Sequence, residues 1–267
     1  MEKTTKTTTI AIANQKGGVG KTTSTVNLAA ALVQRGKRVL CLDWDPQCHL
    51  AKYLGHKVDG LPTITDFIFA KASYMELPPV EGLIRHGAGG IDYIPSSLRL
   101  SRAETVLAQA MFRERVLRDI LAEILPEGYD YLLIDCNPSM GVLLTNALVA
   151  ADRVLIPVQT EDFAVDGLED MMDLIDTIRT NINPNLEILG LLPTLVANNR
   201  DSREVIEYLH KEYPALTFGT YIGRYVDASH SVKIRKPLIS AQKVKKSKAA
   251  EQYMAAADEL LRRIEEG

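Results

Sequence analysis

Residues 14–23 read Asn-Gln-Lys-Gly-Gly-Val-Gly-Lys-Thr-Thr. Phosphate binding needs backbone N–H groups that converge on an anion, and a helix N-terminus whose dipole favours negative charge. Gly17, Gly18 and Gly20 around Val19 let the backbone come close, and Lys21 is spaced to reach the β- and γ-phosphates. The Thr22 hydroxyl is placed to ligate Mg²⁺, and Thr23 to hold the α-phosphate, so the implied cofactors are ATP and Mg²⁺. The general pattern G-x-x-x-x-G-K-[ST] asks for glycine at position 15, where this chain has Gln15; it carries Lys16 one residue further on, a second lysine in the same loop.

Two further segments end in carboxylates. Arg38–Leu42 is apolar and runs into Asp43-Trp44-Asp45-Pro46-Gln47. In a continued strand, residues i and i+2 point the same way, so Asp43 and Asp45 share a face. At the C-terminal end of a parallel strand that face looks into the ligand crevice. One carboxylate there can hold Mg²⁺ through water while another orients an attacking water. Tyr131-Leu132-Leu133-Ile134-Asp135 is an apolar strand ending in a carboxylate, which places Asp135 near the metal.

These residues need a scaffold that delivers strand ends to one rim. Short apolar runs alternate with helical patterns, the rhythm of βαβ units. The spacing predicts strands at Thr8–Ala13, Arg38–Leu42, Ile91–Pro95, Tyr131–Asp135, Arg153–Pro157 and Leu186–Leu192. It predicts helices at Lys21–Arg35, Arg99–Gln109, Arg113–Leu125, Val142–Ala150, Val165–Asn181, Ser202–Glu212 and Ser247–Glu265. Gly36 stands where a helix C-terminal cap is expected. Residues 55–90 are the least periodic and read as a surface excursion. The expected fold is α/β: one P-loop NTPase domain over residues 1–267, with a mostly parallel twisted sheet flanked by helices and residues 1–7 as a flexible tail.

Composition narrows the function classes. The chain of 267 residues is 46% hydrophobic and 24% charged, with a net charge of -3, an ordinary globular balance. So small a net charge leaves any nucleic-acid role to a local patch. Three cysteines, Cys41, Cys48 and Cys136, form no C-x-x-C pair and suggest neither a disulfide framework nor a zinc site; Cys41 and Cys136 lie in apolar runs and read as small buried hydrophobes. The threonine-rich start lacks the apolar core of a signal peptide, and no stretch approaches the ~20 apolar residues of a membrane span. A cytoplasmic location is therefore expected.

The lysine-bearing loop resembles the ParA/Soj branch of the ParA/MinD family of partition ATPases. Further matches are Asp43-Trp44-Asp45-Pro46-Gln47, Asp135, Cys136-Asn137-Pro138-Ser139, Ile156-Pro157-Val158-Gln159, Gly167-Leu168 and Ser202-Arg203-Glu204-Val205. The resemblance covers nearly the whole chain; it is strongest in the first 50 residues and around 129–168, and weaker at 52–128 and after 193. It implies that Lys16 crosses a homodimer interface to the phosphates of the other subunit's ATP. It makes Asp45 the residue that positions water, and Asp43 a support of the metal shell. Asn137 stands where the family more often has proline. The family's base-contacting segments map to Leu195–Asn199, with Asn198 the candidate contact, and to Ile222–Tyr225, where Gly223 replaces a common proline and Tyr225 a common asparagine.

Residues 224–248 carry Arg224, Lys233, Arg235, Lys236, Lys243, Lys245, Lys246 and Lys248 against a single acid, Asp227. Such an excess suits sequence-independent contact with a phosphate backbone, and the resemblance implies nonspecific DNA binding by the ATP-bound dimer. Arg224, Lys233, Arg235 and Lys236 are the candidate contacts. In the Soj pattern, a basic residue is expected at Asp227 and glutamate at His230. The final helix has an apolar stripe for core packing and an acidic outer face, which argues against membrane binding. The expected function is DNA partition, with a ParB-like partner stimulating a slow ATPase. The alternatives are a positioner of a protein cargo and a metabolic ligase of the dethiobiotin-synthetase type, which gives no reason for Lys16. A nitrogenase-type iron–sulfur reductase needs cluster cysteines that Cys136 alone does not supply.

Overall fold

The computed structural model describes residues 6–161, 166–240 and 247–266. Its elements in chain order begin with β1 (Thr8–Ile12), α1 (Lys21–Gln34), β2 (Val39–Trp44), α2 (His49–Tyr53), α3 (Ile64–Ala72), β3 (Arg85–His86) and β4 (Asp92–Ile94). They continue with α4 (Ala103–Leu107), α5 (Val116–Ile124), β5 (Tyr131–Cys136), α6 (Val142–Ala150), β6 (Arg153–Gln159), α7 (Asp166–Asn181), β7 (Glu187–Thr194), α8 (Arg200–Glu212), α9 (Val226–Lys233) and α10 (Lys248–Glu266).

The strands form one seven-stranded sheet in the order β3-β4-β2-β5-β1-β6-β7. Every pairing is parallel except that of the two-residue β3 with β4. At the other end, the isolated bridges Leu191↔Thr217 and Val196↔Gly223 lay following chain against β7 and the loop beyond it. β2 and β5 are buried at every residue, because helices cover both faces. One core layer packs Leu40, Leu42, Leu132 and Ile134 against side chains of α3 to α8. The other packs Ile10, Cys41 and Leu133 against α1, α2 and α10. As expected, Cys41 and Cys136 are buried among apolar side chains.

Local chemistry explains the helix ends. Gly20, at φ 87°, opens α1 in a left-handed conformation that glycine adopts without strain. Gly36, at φ 78°, closes it: its N–H reaches Val33 O at 2.9 Å and that of Lys37 reaches Leu32 O at 3.0 Å. The segment read as a surface excursion holds α3, whose Ile64, Phe67 and Ile68 are fully buried. Thr63 and Asp66 cap it reciprocally. The single helix expected over Arg99–Gln109 divides into a 3₁₀ turn at Leu98–Arg102 and the short α4. Of the residues expected as tail, Lys6 pairs with Asp152 at 3.0 Å and the Thr7 hydroxyl donates to Tyr129 O at 2.8 Å.

Parallel pairing levels the functional strand ends. Asp135 stands opposite both Ile12 of β1 and Asp43 of β2. The loop after β1 and the carboxylates of β2 and β5 therefore meet at one rim, where this architecture places ligands.

Candidate functional site

The loop between β1 and α1 is braced from several sides. The Asn14 side chain donates to Pro157 O at 2.8 Å and accepts from the Lys16 N–H at 2.8 Å, fixing where the loop leaves the strand. Gln15 donates to Gly167 O and to Asp170, both at 3.1 Å. The Thr194 hydroxyl donates to Val19 O at 2.8 Å. Val19 is thus a buried anchor, whereas Gly17 and Gly18 are exposed and have nothing within 4 Å of where a Cβ would stand. A ligand can approach this backbone without meeting a side chain.

Lys21 is buried, and its ammonium donates to Asn14 O and Lys16 O, each at 2.9 Å. Burial pulls its pKa below the ordinary lysine value, and the nearby carboxylates Asp135 and Asp45 work against that shift. Lys16 bonds into the loop through its backbone, while its half-exposed side chain makes no hydrogen bond or ion pair among the described residues. The two lysines therefore do different things: Lys21 is folded into its own loop, and Lys16 is available to a group outside it.

Asp135 is buried and its carboxyl is pushed up to about 7, first by burial; the Thr22 and Thr25 hydroxyls and Lys21 oppose the shift, and Asp45 adds to it. Thr25 donates to its Oδ1 at 3.3 Å, while Oδ2 is buried without a partner. A hydrated divalent cation beside Asp135 and the Thr22 hydroxyl would satisfy that oxygen. Among the described residues no three His, Cys, Asp or Glu side chains form a metal cage. Mg²⁺ keeps most of its waters and leans on phosphate oxygens, so one carboxylate and one hydroxyl are enough to hold it.

Asp43 was expected beside the metal, but its geometry gives it other work. It is fully buried: Oδ2 accepts from Ala51 N–H at 2.9 Å and Oδ1 from Asp45 N–H at 3.3 Å. Both oxygens thus brace the turn that carries Asp45 into α2. Burial, with Asp135 alongside, pushes its carboxyl well above the usual range. Asp45 is half-buried and caps the same turn, accepting from Gln47 N–H at 2.8 Å. Of the two, only Asp45 acts on the charge of Lys21 in the loop.

Beside Gly18, Gly20 and Thr23 opens a cleft of about 380 Å³ whose far wall is Thr194, Leu195 and Ile222–Tyr225. The Tyr225 ring lies against Gly223: a Cβ there would stand 2.7 Å from it, so a larger residue would turn the ring aside. The two segments expected at a base converge, but Asn198 is exposed and does not line the cleft. A larger cavity of about 620 Å³ lies at the opposite end of the strands, around Asp152 and Asn185, away from the phosphate loop.

The expected DNA residues separate. Arg224 lines the cleft and pairs with Glu161, rather than joining the others. Glu161 sits below the usual carboxyl range through a hydrogen bond with Gln159, then through Arg224 and Lys16. Lys233, Arg235 and Lys236 are exposed at the far end of α9, whose eight residues span roughly 12 Å. They make no ion pair among the described residues, and Asp227 lies in the first turn of the same helix. Lys243, Lys245 and Lys246 fall outside the described residues. Asn14, Thr25 and Glu161 were not singled out from sequence as parts of the site. Only the position of Asn14, directly before the loop, marked it in advance.

Residues 7–188 match the family described as AAA domain. The chain is 39% identical over 233 residues to the chromosome partitioning protein ParA of Caulobacter vibrioides, covering 86% of this chain and 85% of that one. It is 38% identical over 256 residues to the sporulation initiation inhibitor protein Soj of Bacillus subtilis, covering 94% and 97%. Among solved structures, the cobyrinic acid a,c-diamide synthase of Mycobacterium smegmatis with bound ADP and magnesium superposes with a TM-score of 0.80 at 33% identity, over 97% of this chain and 96% of that one.

Proposed function

This chain belongs to the ParA/Soj family of partition ATPases, and from that membership we propose that it is a DNA-partition ATPase whose Mg-ATP-bound form is a sandwich homodimer on nonspecific DNA. A ParB-like partner stimulates an otherwise slow hydrolysis, and the protein works in the cytoplasm on the nucleoid.

The observation that carries this reading is the division between the two loop lysines. Lys21 is spent within its own loop, so it cradles the phosphates of the nucleotide bound there. Lys16 has no such partner among the described residues and reaches the phosphates held by a second copy. Gly17 to Thr23 hold the phosphate chain, and Thr22 with Asp135 holds hydrated Mg²⁺, which neutralises charge on the phosphates. Asp45 positions the attacking water. The cleft beside Gly20 takes the base. Lys233, Arg235 and Lys236 meet the DNA backbone, two such patches acting together once the dimer forms.

Lys16→Ala tests this: monomer affinity for ATP stays near wild type, while ATP-dependent dimerisation, read by light scattering, is lost. A variant that dimerises normally would make Lys16 an ordinary loop residue. The likeness to the Mycobacterium smegmatis synthase favours, as a second reading, a ligase that couples ATP to another substrate. Phosphate release from ATP alone, faster with DNA and partner protein, supports partition; turnover that starts only with a second small substrate supports the ligase. Retention on DNA by ATP but not ADP supports DNA as the surface over a purely protein-cargo role.

A further inference from the structure

Asn137 follows β5 in the segment that closes the site. It is only 6% exposed, and its Oδ1 is buried with no hydrogen-bond partner. Apart from Asp135 Oδ2, which the metal explains, it is the one such orphaned side-chain atom among the described residues. A buried acceptor left unmade is costly, so a chain that keeps one has a use for it.

The sheet register says where that use lies. β2 and β5 run residue against residue, with Asp43 opposite Asp135 and Trp44 opposite Cys136. Both strands end at that pair, and Asp45 and Asn137 are the residues by which the chain leaves β2 and β5 at the same rim. Side chains alternate along a strand, so Asp43 and Asp135, two residues before them, share a face. That is the α1 face: Cys41 and Leu133, two residues earlier on each strand, pack in the layer with α1, whereas Trp44 and Cys136 pack in the other. Asp45 and Asp135 both act on Lys21 of the phosphate loop. A further carboxylate here would oppose incoming phosphates; a carboxamide supplies an acceptor without charge.

We propose that Asn137 is a catalytic residue of this ATPase: its Oδ1 accepts a hydrogen bond from the attacking water and, with Asp45, aims that water at the terminal phosphate. The water oxygen bonds to the γ-phosphorus as the bond to the β–γ bridging oxygen breaks. The bridging electron pair leaves with ADP, and the water's proton ends on inorganic phosphate. Asn137 takes no proton; it fixes the direction of attack, the main demand of phosphoryl transfer. The proposal rests on the ATPase reading above.

Asn137→Leu keeps nearly the same volume and removes the acceptor. The variant is expected to melt at or above the wild-type temperature, since an unpaired buried acceptor has been replaced by an apolar group. Its affinity for a non-hydrolysable ATP analogue stays at the wild-type value. Its single-turnover kcat falls about tenfold with KM unchanged, the factor set by one well-placed hydrogen bond. Calorimetric affinity for Mg-ADP with aluminium fluoride, which mimics the transition state, falls by about the same factor. Asn137→Ala carries the same test if the leucine variant does not fold, and Asn137→Gln, which retains the carboxamide, recovers part of the loss. A leucine variant with wild-type kcat and wild-type aluminium fluoride affinity would overturn the proposal, as would one that melts lower yet turns over normally. Wild-type protein that hydrolyses no ATP would overturn the ATPase reading as well, so the two failures are told apart.

Discussion

The phosphate loop and the basic stretch after residue 223 carry the two halves of the proposed function, and they are built in opposite ways. The loop is fastened to three elements: Asn14 and Gln15 donate to backbone carbonyls of β6 and α7, and Thr194 of β7 donates to the loop's Val19 O. Its one buried charge, Lys21, has two carbonyl partners. The basic stretch instead has Lys233, Arg235 and Lys236 at the exposed end of a short helix, and these three meet no counter-charge among the described residues. A site that works through backbone geometry must be rigid and is written in contiguous residues. A site that works through net charge tolerates rearrangement, so its composition can be read while its placement cannot.

The sharpest way to break this contrast is Lys21→Ala. It should cost at least ~100-fold in Mg-ATP affinity by calorimetry, because a charged donor aimed at phosphate is lost. Unchanged affinity would remove the loop from the nucleotide site. At the basic end, replacing Arg235 and Lys236 together by alanine on both subunits should leave ATP affinity alone. It should flatten the slope of log DNA affinity against log salt by up to roughly 3–4 units, at about 0.9 per phosphate contact. Fluorescence anisotropy on random-sequence DNA reads this directly; a slope identical to wild type would move the DNA surface elsewhere. Arg224→Ala sharpens the comparison, because the geometry assigns Arg224 to the cleft. The DNA salt slope should not change, while nucleotide affinity shifts by less than about fivefold, as expected for a half-exposed ion pair.

The smallest effect concerns Asp135. Its carboxyl is raised from an ordinary value of 3.8 to about 7 in the folded chain, so between those values the folded state binds more protons than the unfolded state. Without nucleotide, this group's contribution therefore makes stability fall as pH rises from about 4 to about 7. Asp135→Asn, which cannot ionise, should melt several degrees above wild type at pH 8, and the gap should close on acidification. Thermal melts across pH check it; a gap independent of pH would mean that Asp135 is neutralised in some other way.

What was legible in the sequence follows the same division. Strand ends carrying Asp45 and Asp135, and the strand–loop–helix around Lys21, were readable because period and glycine spacing act over a few residues. The burial of α3 was missed although Thr63 and Asp66 signalled its start, because the surrounding glycines and prolines hid a nine-residue helix. Asp43 was read as a support of the metal shell; its bond from Ala51 N–H was not legible, because it depends on how the turn folds back. Arg224 was grouped with its neighbours in sequence. Its true partner, Glu161, is 63 positions away, and no local pattern announces a contact of that separation.

The margins of the sheet bear on how two copies of this chain can meet. A bare outer strand invites a second molecule to add its own, and such pairing is hard to reverse. Here one margin ends in a strand of only two residues running against its neighbour. Along the other, chain returning after α8 and before α9 takes up Leu191 and Val196. Growth by strand addition is thereby discouraged at both margins, which guards against fibre-like aggregation. In the proposed dimer, pairing falls instead to the rim that carries the phosphate loop.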